Sequence, residues 1–172
     1  MPYLLGIVDH DDVPLAAVGL RPAALEGLFL EQYLERPIEA GITDLAGRPT
    51  ARHEIVEVGN LATDRPGMAR QVIIAMTFIL RAAGYEWVAF TVTPRLRNSF
   101  ARLGLYPIEI AAAAGERLGP LKARWGRYYD DGPVVVAGRP RDALDRLAGD
   151  PRVHAWFRRL IGIDFAAEAV PA

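Results

Sequence analysis

One stretch, residues 55–80, holds a lone carboxylate next to a turn suited to binding an anion. Ile55, Val56 and Val58 are β-branched strand formers, and Glu57 between them is the one ionisable group of that strand. After Asp64-Arg65-Pro66-Gly67 the chain runs apolar from Met68 to Leu80 and reads as a long helix closed by Gly84. Asp64 can cap that helix. Pro66 falls in its first turn, where a missing N–H costs nothing. Such a helix start points free N–H groups and a positive dipole end past the strand, which suits a phosphate or pyrophosphate. The implied chemistry is the handling of a phosphate-bearing ligand beside a carboxylate.

The elements that must hold this stretch are short. Residues 3–8 and 13–20 form two apolar runs joined by Asp9-His10-Asp11-Asp12 and read as an antiparallel hairpin. Pro22 is expected to open a helix from Ala23 to about Arg36, with Leu25, Leu28 and Phe29 as its core stripe and Tyr33 near the edge. On that helix Glu31 and Glu35 share a face, either as a solvated acidic surface or as a lip receiving a cationic amine. Residues 41–52 read as a Gly/Pro/Arg-rich loop. Trp87–Thr93 is the next strand, Arg95–Leu103 a helix stopped by Gly104, Leu105–Ile110 a strand interrupted by Pro107, and Pro133–Ala137 an edge-like strand. Arg141–Leu147 and Pro151–Ile161 read as two tail helices. The alternation predicts an α+β (mixed α/β) domain around one central sheet.

Composition narrows the function classes. A 172-residue chain fits one domain. Net charge is −1, so no basic field argues for nucleic acid. The chain has no cysteine, which removes disulfides, thiolate metal sites and a cysteine nucleophile. His10, His53 and His154 are scattered without metal spacing, so no metal site is expected. The dense apolar run Val72–Leu80 is far short of the ~20 residues of a membrane span, and Leu4–Val8 lacks a basic lead-in, so a cytoplasmic location is expected.

Six blocks carry a resemblance: Gly19–Ala23, Leu28–Glu39, Ile55–Ala62, Phe90–Thr93, Leu96–Leu105 and Trp125–Tyr129. In this order the chain resembles the thermostable hemolysin family, and more broadly the GCN5-related N-acetyltransferase fold, a central mostly antiparallel sheet flanked by helices. The resemblance implies a domain over residues 1–138, short at its N-terminal side relative to that fold, and a helical extension over 139–172. It implies a more open acceptor pocket, or cover from a second copy or partner subunit. More distantly, acyl-homoserine-lactone synthases carry Glu-x-Ser-Arg on the equivalent strand, where this chain has Glu57-Val58-Gly59-Asn60.

That resemblance implies an acyltransferase moving an acyl group from a thioester to a small amine, with Glu57 orienting or deprotonating the amine. Glu57 has a competing reading as a buried ion pair with Arg52 or Arg97. Backbone N–H groups from Gly59, Asn60 and Leu61 would polarise the thioester carbonyl. The donor would be acyl-CoA or an acyl-carrier-protein phosphopantetheine, gripped around Arg65, Gly67, Met68, Ala69 and Arg70, with no covalently bound cofactor. Asn98 either touches that donor or makes a helix-surface hydrogen bond. Arg97 and Arg102 either reach phosphate or face solvent. Tyr128, with Trp125 and Tyr129, either lines an acyl tunnel or packs in the core. Acetyltransferases often carry a tyrosine acid four residues before the helix-ending glycine, and that place is Phe100 here. Two other readings stand beside the enzyme: a membrane-active hemolysin-type protein, and a non-catalytic subunit of the same fold.

Overall fold

The computed structural model describes residues 1–8, 11, 13–64 and 68–153. Strands β1 (Tyr3–Val8), β2 (Pro14–Pro22), β3 (Ile55–Thr63), β4 (Trp87–Val92), β5 (Ile108–Ala112) and β6 (Val134–Gly138) form one sheet in the order β1-β2-β3-β4-β6-β5. Only β3 and β4 run parallel; the other neighbours are antiparallel. The four α-helices among the described residues are α1 (Ile38–Ala46), α2 (Met68–Ala82), α3 (Pro94–Ala101) and α4 (Pro140–Ala148).

Strand alternation divides the core between the two sheet faces. Ile55, Trp87, Ala89, Val135 and Ala137 pack against Leu28, Leu30, Tyr33 and α1 residues Ile38 and Ile42. Val56 and Val18 pack on the opposite face against Val72, Met76 and Leu80 of α2, and Phe90 packs there against Phe100 of α3. Leu147 of α4 joins Ile73 and Ile74. The parallel β3–α2–β4 unit therefore has α2 over one face, and α1 with the irregular chain before it over the other.

That irregular chain departs from expectation. No α-helix spans Ala23–Arg36; a turn leads into a 3₁₀ segment at Phe29–Tyr33. Ala23 instead continues the β2 pairing, its N–H donating to the Ile55 carbonyl at 3.0 Å. The Leu28, Phe29 and Leu30 N–H groups donate to carboxylates of Glu31 and Glu57, so no helical carbonyls are needed to satisfy them. Leu25 is consequently 62% exposed, whereas Tyr33 is buried, not at an edge.

The helix lies further on. Pro37 precedes α1, Ile38 and Ile42 one turn apart bury its apolar stripe, and Gly47 ends it in the left-handed region at φ 64°. The stretch that reads as loop over 41–52 is thus half helix. Pro133–Ala137 was expected at an edge; its strand, β6, lies between β4 and β5, with Val135, Val136 and Ala137 fully buried. Pro133 only precedes that strand, where the missing N–H breaks no ladder bond. The strand expected from Leu105 begins after Pro107, at Ile108. The first tail helix is α4; of Pro151–Ile161, residues 154 onward lie outside the described residues. No helix among the described residues is long and apolar enough to cross a membrane.

Candidate functional site

Glu57 is the last residue of β3 that pairs with β4, opposite Ala89. Beyond it β3 stays with β2, while Phe90, Thr91 and Val92 of β4 stay with β6. The two strands splay apart. A bulge enforces this: Asn60 and Leu61 together oppose Val18, and Asn60 takes φ 53°, the left-handed conformation that asparagine tolerates better than most residues. The Glu54 carbonyl accepts from Glu86 on the β4 side, whereas the Ile55 carbonyl accepts from Ala23 on the β2 side. Strand alternation therefore turns the Val58 amide and carbonyl towards the gap, past the last ladder pair.

A cavity of about 1200 Å³ passes through this gap. On one face it is lined by Arg21, Phe29, Tyr33, Glu57, Trp125 and Tyr128. On the other, Val72, Met76, Leu80, Val88, Phe90 and Phe100 make it apolar. Its outer wall includes Ala69 and Arg70 from the first turn of α2, and Arg95 from the first turn of α3. Aromatic stacking holds the polar end: Trp125 packs on Phe29 and Tyr128 at ring distances of 5.4 and 5.5 Å.

Glu57 is only 4% exposed. Its Oε2 accepts from the Phe29 N–H at 2.8 Å, and its Oε1 from the Leu30 N–H at 3.0 Å. Burial pushes its pKa up; the two N–H groups and Arg21 pull the other way without cancelling it. The arginine beside it is neither Arg52 nor Arg97. Arg52 pairs with Glu31 and Glu39, and Arg97 with Glu109. Arg21, the direct cross-strand partner of Glu57, brings its Nε to 4.0 Å from Oε2. That Nε is buried and makes no hydrogen bond, so Arg21 lies near the carboxylate without locking it.

Two tyrosines face this end. The Tyr128 hydroxyl donates to Thr91 Oγ1 at 3.0 Å, and the Tyr33 hydroxyl lies 2.6 Å from that of Tyr129. Burial raises the pKa of both Tyr33 and Tyr128, so each keeps its proton. Phe100, where a tyrosine acid is often found, stacks on Phe90 at 5.1 Å.

The family model of the thermostable hemolysins matches residues 1–144. The chain belongs to the thermostable hemolysin family. A search against curated proteins returns no match. Among solved structures, this hemolysin-family chain is similar to TofI in its apo form (TM-score 0.56, 14% identity, covering 87% of this chain and 74% of that one). It is also similar to FeeM, an N-acyl amino acid synthase from uncultured soil microbes (TM-score 0.52, 14% identity, 83% and 75%). A further match is BjaI, a CoA-dependent acyl-homoserine lactone synthase solved with SAM and isopentyl-CoA (TM-score 0.53, 15% identity, 87% and 63%). The fold is GCN5-related N-acetyltransferase-like.

In this hemolysin-family fold the residues singled out from the sequence fall into three groups. Glu57, Gly59, Asn60, Ala69, Arg70 and Tyr128 all line the one cavity. Glu31, Glu35, Met68 and Asn98 do not. Glu31 is occupied by Arg52 and by two backbone N–H groups, and Glu35 pairs with Arg117. Both border a separate open cleft of about 850 Å³. Met68 is buried at the start of α2, and Asn98 is on the exposed side of α3, where Arg95 and Ser99 reach the cavity instead. Arg65 and Gly67 lie outside the described residues. Arg21, Tyr33 and Thr91 are additions that sequence reading missed. Arg21 was findable only through the β2–β3 register, since a single chain does not reveal which residue lies opposite Glu57.

Proposed function

We propose that this protein is an N-acyltransferase that moves an acyl group from a thioester to a small amine. The observation that carries the reading is Glu57 at the polar end of a cavity that crosses the sheet and becomes apolar beside α2. An acyl chain fits the apolar half, and an amine fits the end carrying Glu57 and the tyrosines. The neighbours named as N-acyl amino acid synthase and acyl-homoserine lactone synthase support the same reaction class.

The amine nitrogen attacks the thioester carbonyl carbon, and Glu57 accepts the proton that the nitrogen sheds. A carboxylate whose pKa is raised by burial is a stronger base than an exposed one. The Val58 N–H, turned into the gap, stabilises the oxyanion. The C–S bond then breaks, and the thiolate takes a proton from Tyr128 or from protonated Glu57. The donor is acyl-CoA or an acyl carrier protein. Its phosphate-bearing arm lies at the start of α2, where Met68, Ala69 and Arg70 offer N–H groups and Arg70 and Arg95 offer charge.

The test is thiol release, with product mass, from short- to long-chain acyl-CoA and acyl-carrier-protein donors against amino acids and arylalkylamines. The wild type is expected to turn over at least one pair. Glu57→Gln should lower kcat by about 100-fold or more while remaining folded. A folded wild type that releases no thiol from any donor overturns the reading, and an unchanged kcat in the variant removes Glu57 from it.

A further inference from the structure

Arg52 touches nothing in the cavity, yet it has committed its whole guanidinium. Its Nε donates to the Ala23 carbonyl at 2.8 Å. Its Nη1 donates to Glu31 Oε1 at 2.7 Å and Glu39 Oε2 at 2.6 Å. Its Nη2 donates to Glu31 Oε2 at 3.2 Å and the Glu26 carbonyl at 3.3 Å. A planar fork with five N–H groups suits such a hub; an ammonium does not.

Glu31 passes this order on. Besides Arg52, its carboxylate accepts from the Leu28 N–H at 2.8 Å and the Ile38 N–H at 3.1 Å. Those two amides bracket the 3₁₀ turn whose Phe29 and Leu30 N–H groups hold Glu57. The turn's own ladder bonds, from the Glu31 N–H to the Leu28 carbonyl and from the Leu34 N–H to the Glu31 carbonyl, do not use the Phe29 and Leu30 N–H groups. The clamp behind it supplies the constraint on their directions.

We propose that Arg52 and Glu31 are a positioning pair: by fixing the Phe29 and Leu30 N–H groups, they set how Glu57 is held for proton transfer. The proposal rests on Glu57 being the base of the acyltransferase reading. Loosening the clamp leaves the carboxylate buried but with weakened N–H donors, and burial alone favours the protonated form. The charged and titratable groups facing Glu57 are Arg21 from β2, Glu31 and Tyr33 from the 3₁₀ turn, and Tyr128 across the cavity; its β4 partner, Ala89, carries none. Charge-conserving variants keep all of these while removing the geometry.

Arg52→Lys and Glu31→Asp are the variants, with Asp44→Asn of the exposed Arg36–Asp44 pair as control. In both, the acid limb of the kcat/KM profile should move to higher pH. The value of kcat should fall about tenfold or more, and the donor KM should stay within about twofold of wild type. Independently of turnover, a carbon-detected NMR titration of glutamate carboxyls, with the Glu57 signal assigned by its loss in Glu57→Gln, should show a raised midpoint in both variants and none in the control. Phe29 and Leu30 amides should exchange faster. A merely structural role predicts a lowered melting temperature with the Glu57 midpoint unmoved, and that result overturns the proposal. If Arg52→Lys does not fold, Glu31→Asp decides alone. A wild type without transfer activity defeats the enzymatic reading, while the NMR titration still decides whether the pair governs Glu57.

Discussion

At Glu57 two effects oppose each other, and burial outweighs the N–H groups of Phe29 and Leu30, leaving the pKa above the usual 4.5. Stability must follow. A carboxyl with a raised folded-state pKa binds more protons folded than unfolded between 4.5 and its folded value. Unfolding free energy therefore falls as pH rises through that window and levels off above it. In melting curves against pH, the wild type should lose stability relative to Glu57→Gln across the window; parallel curves would mean that burial does not govern this group. Tyr33 gives the alkaline counterpart. Its pKa lies above the usual 10.0, so stability falls as pH climbs past that value. Tyr33→Phe removes the hydroxyl partner of Tyr129 and should cost about 1 kcal/mol at neutral pH in urea unfolding. It should also flatten the alkaline loss, and an undiminished loss would assign it elsewhere.

Among the elements, β3 matters most because it ends its partnership with β4 after three pairs. The bulge at Asn60 bends its far half towards β2 and keeps the gap open. Asn60→Val puts a β-branched side chain at φ 53° and should cost about 1–2 kcal/mol, whereas Asn60→Gly should be neutral or stabilising. Paired urea titrations decide, and equal midpoints would show that the left-handed turn is not under strain. This part of the fold was legible in sequence: β-branched runs marked β3 and β4, proline and glycine marked the start of α3 and the end of α2, and Glu57 stood out as the one charge in its strand. The segment 23–36 was not. Its amides are satisfied by carboxylates of Glu31 and Glu57, and its carbonyls at Ala23, Glu26 and Gly27 by Arg52 and Arg21. Glu57 and Arg52 are distant in sequence and leave no periodic trace. The same blindness hid Arg21, and it made Glu31 look like a free surface charge.

For the molecule as a whole, the decisive feature is that a sheet, which normally separates two cores, here has an opening between its middle strands. Polar groups gather on one side, and the apolar wall of α2 runs from Val72 to Leu80 on the other. Eight helical steps span about 12 Å, enough to measure the length of a bound chain. Val88 sits on this wall from the β4 side, half-buried and flanking the cavity. Val88→Phe adds a ring where the far end of a long acyl group would lie, in space that is open and not close-packed. The fold should bear it at a cost below the ~1–3 kcal/mol typical of overpacking a full core. In competition assays with mixed acyl thioesters, the preferred chain should shorten by several carbons. The longest donors should lose at least about tenfold in kcat/KM, since each excluded methylene forfeits about 0.8 kcal/mol of burial, while the shortest keep their rate. A folded variant with an unaltered chain-length profile would show that the apolar half of the cavity does not receive the acyl group, and the donor would then have to lie along the arginine-bearing outer wall alone.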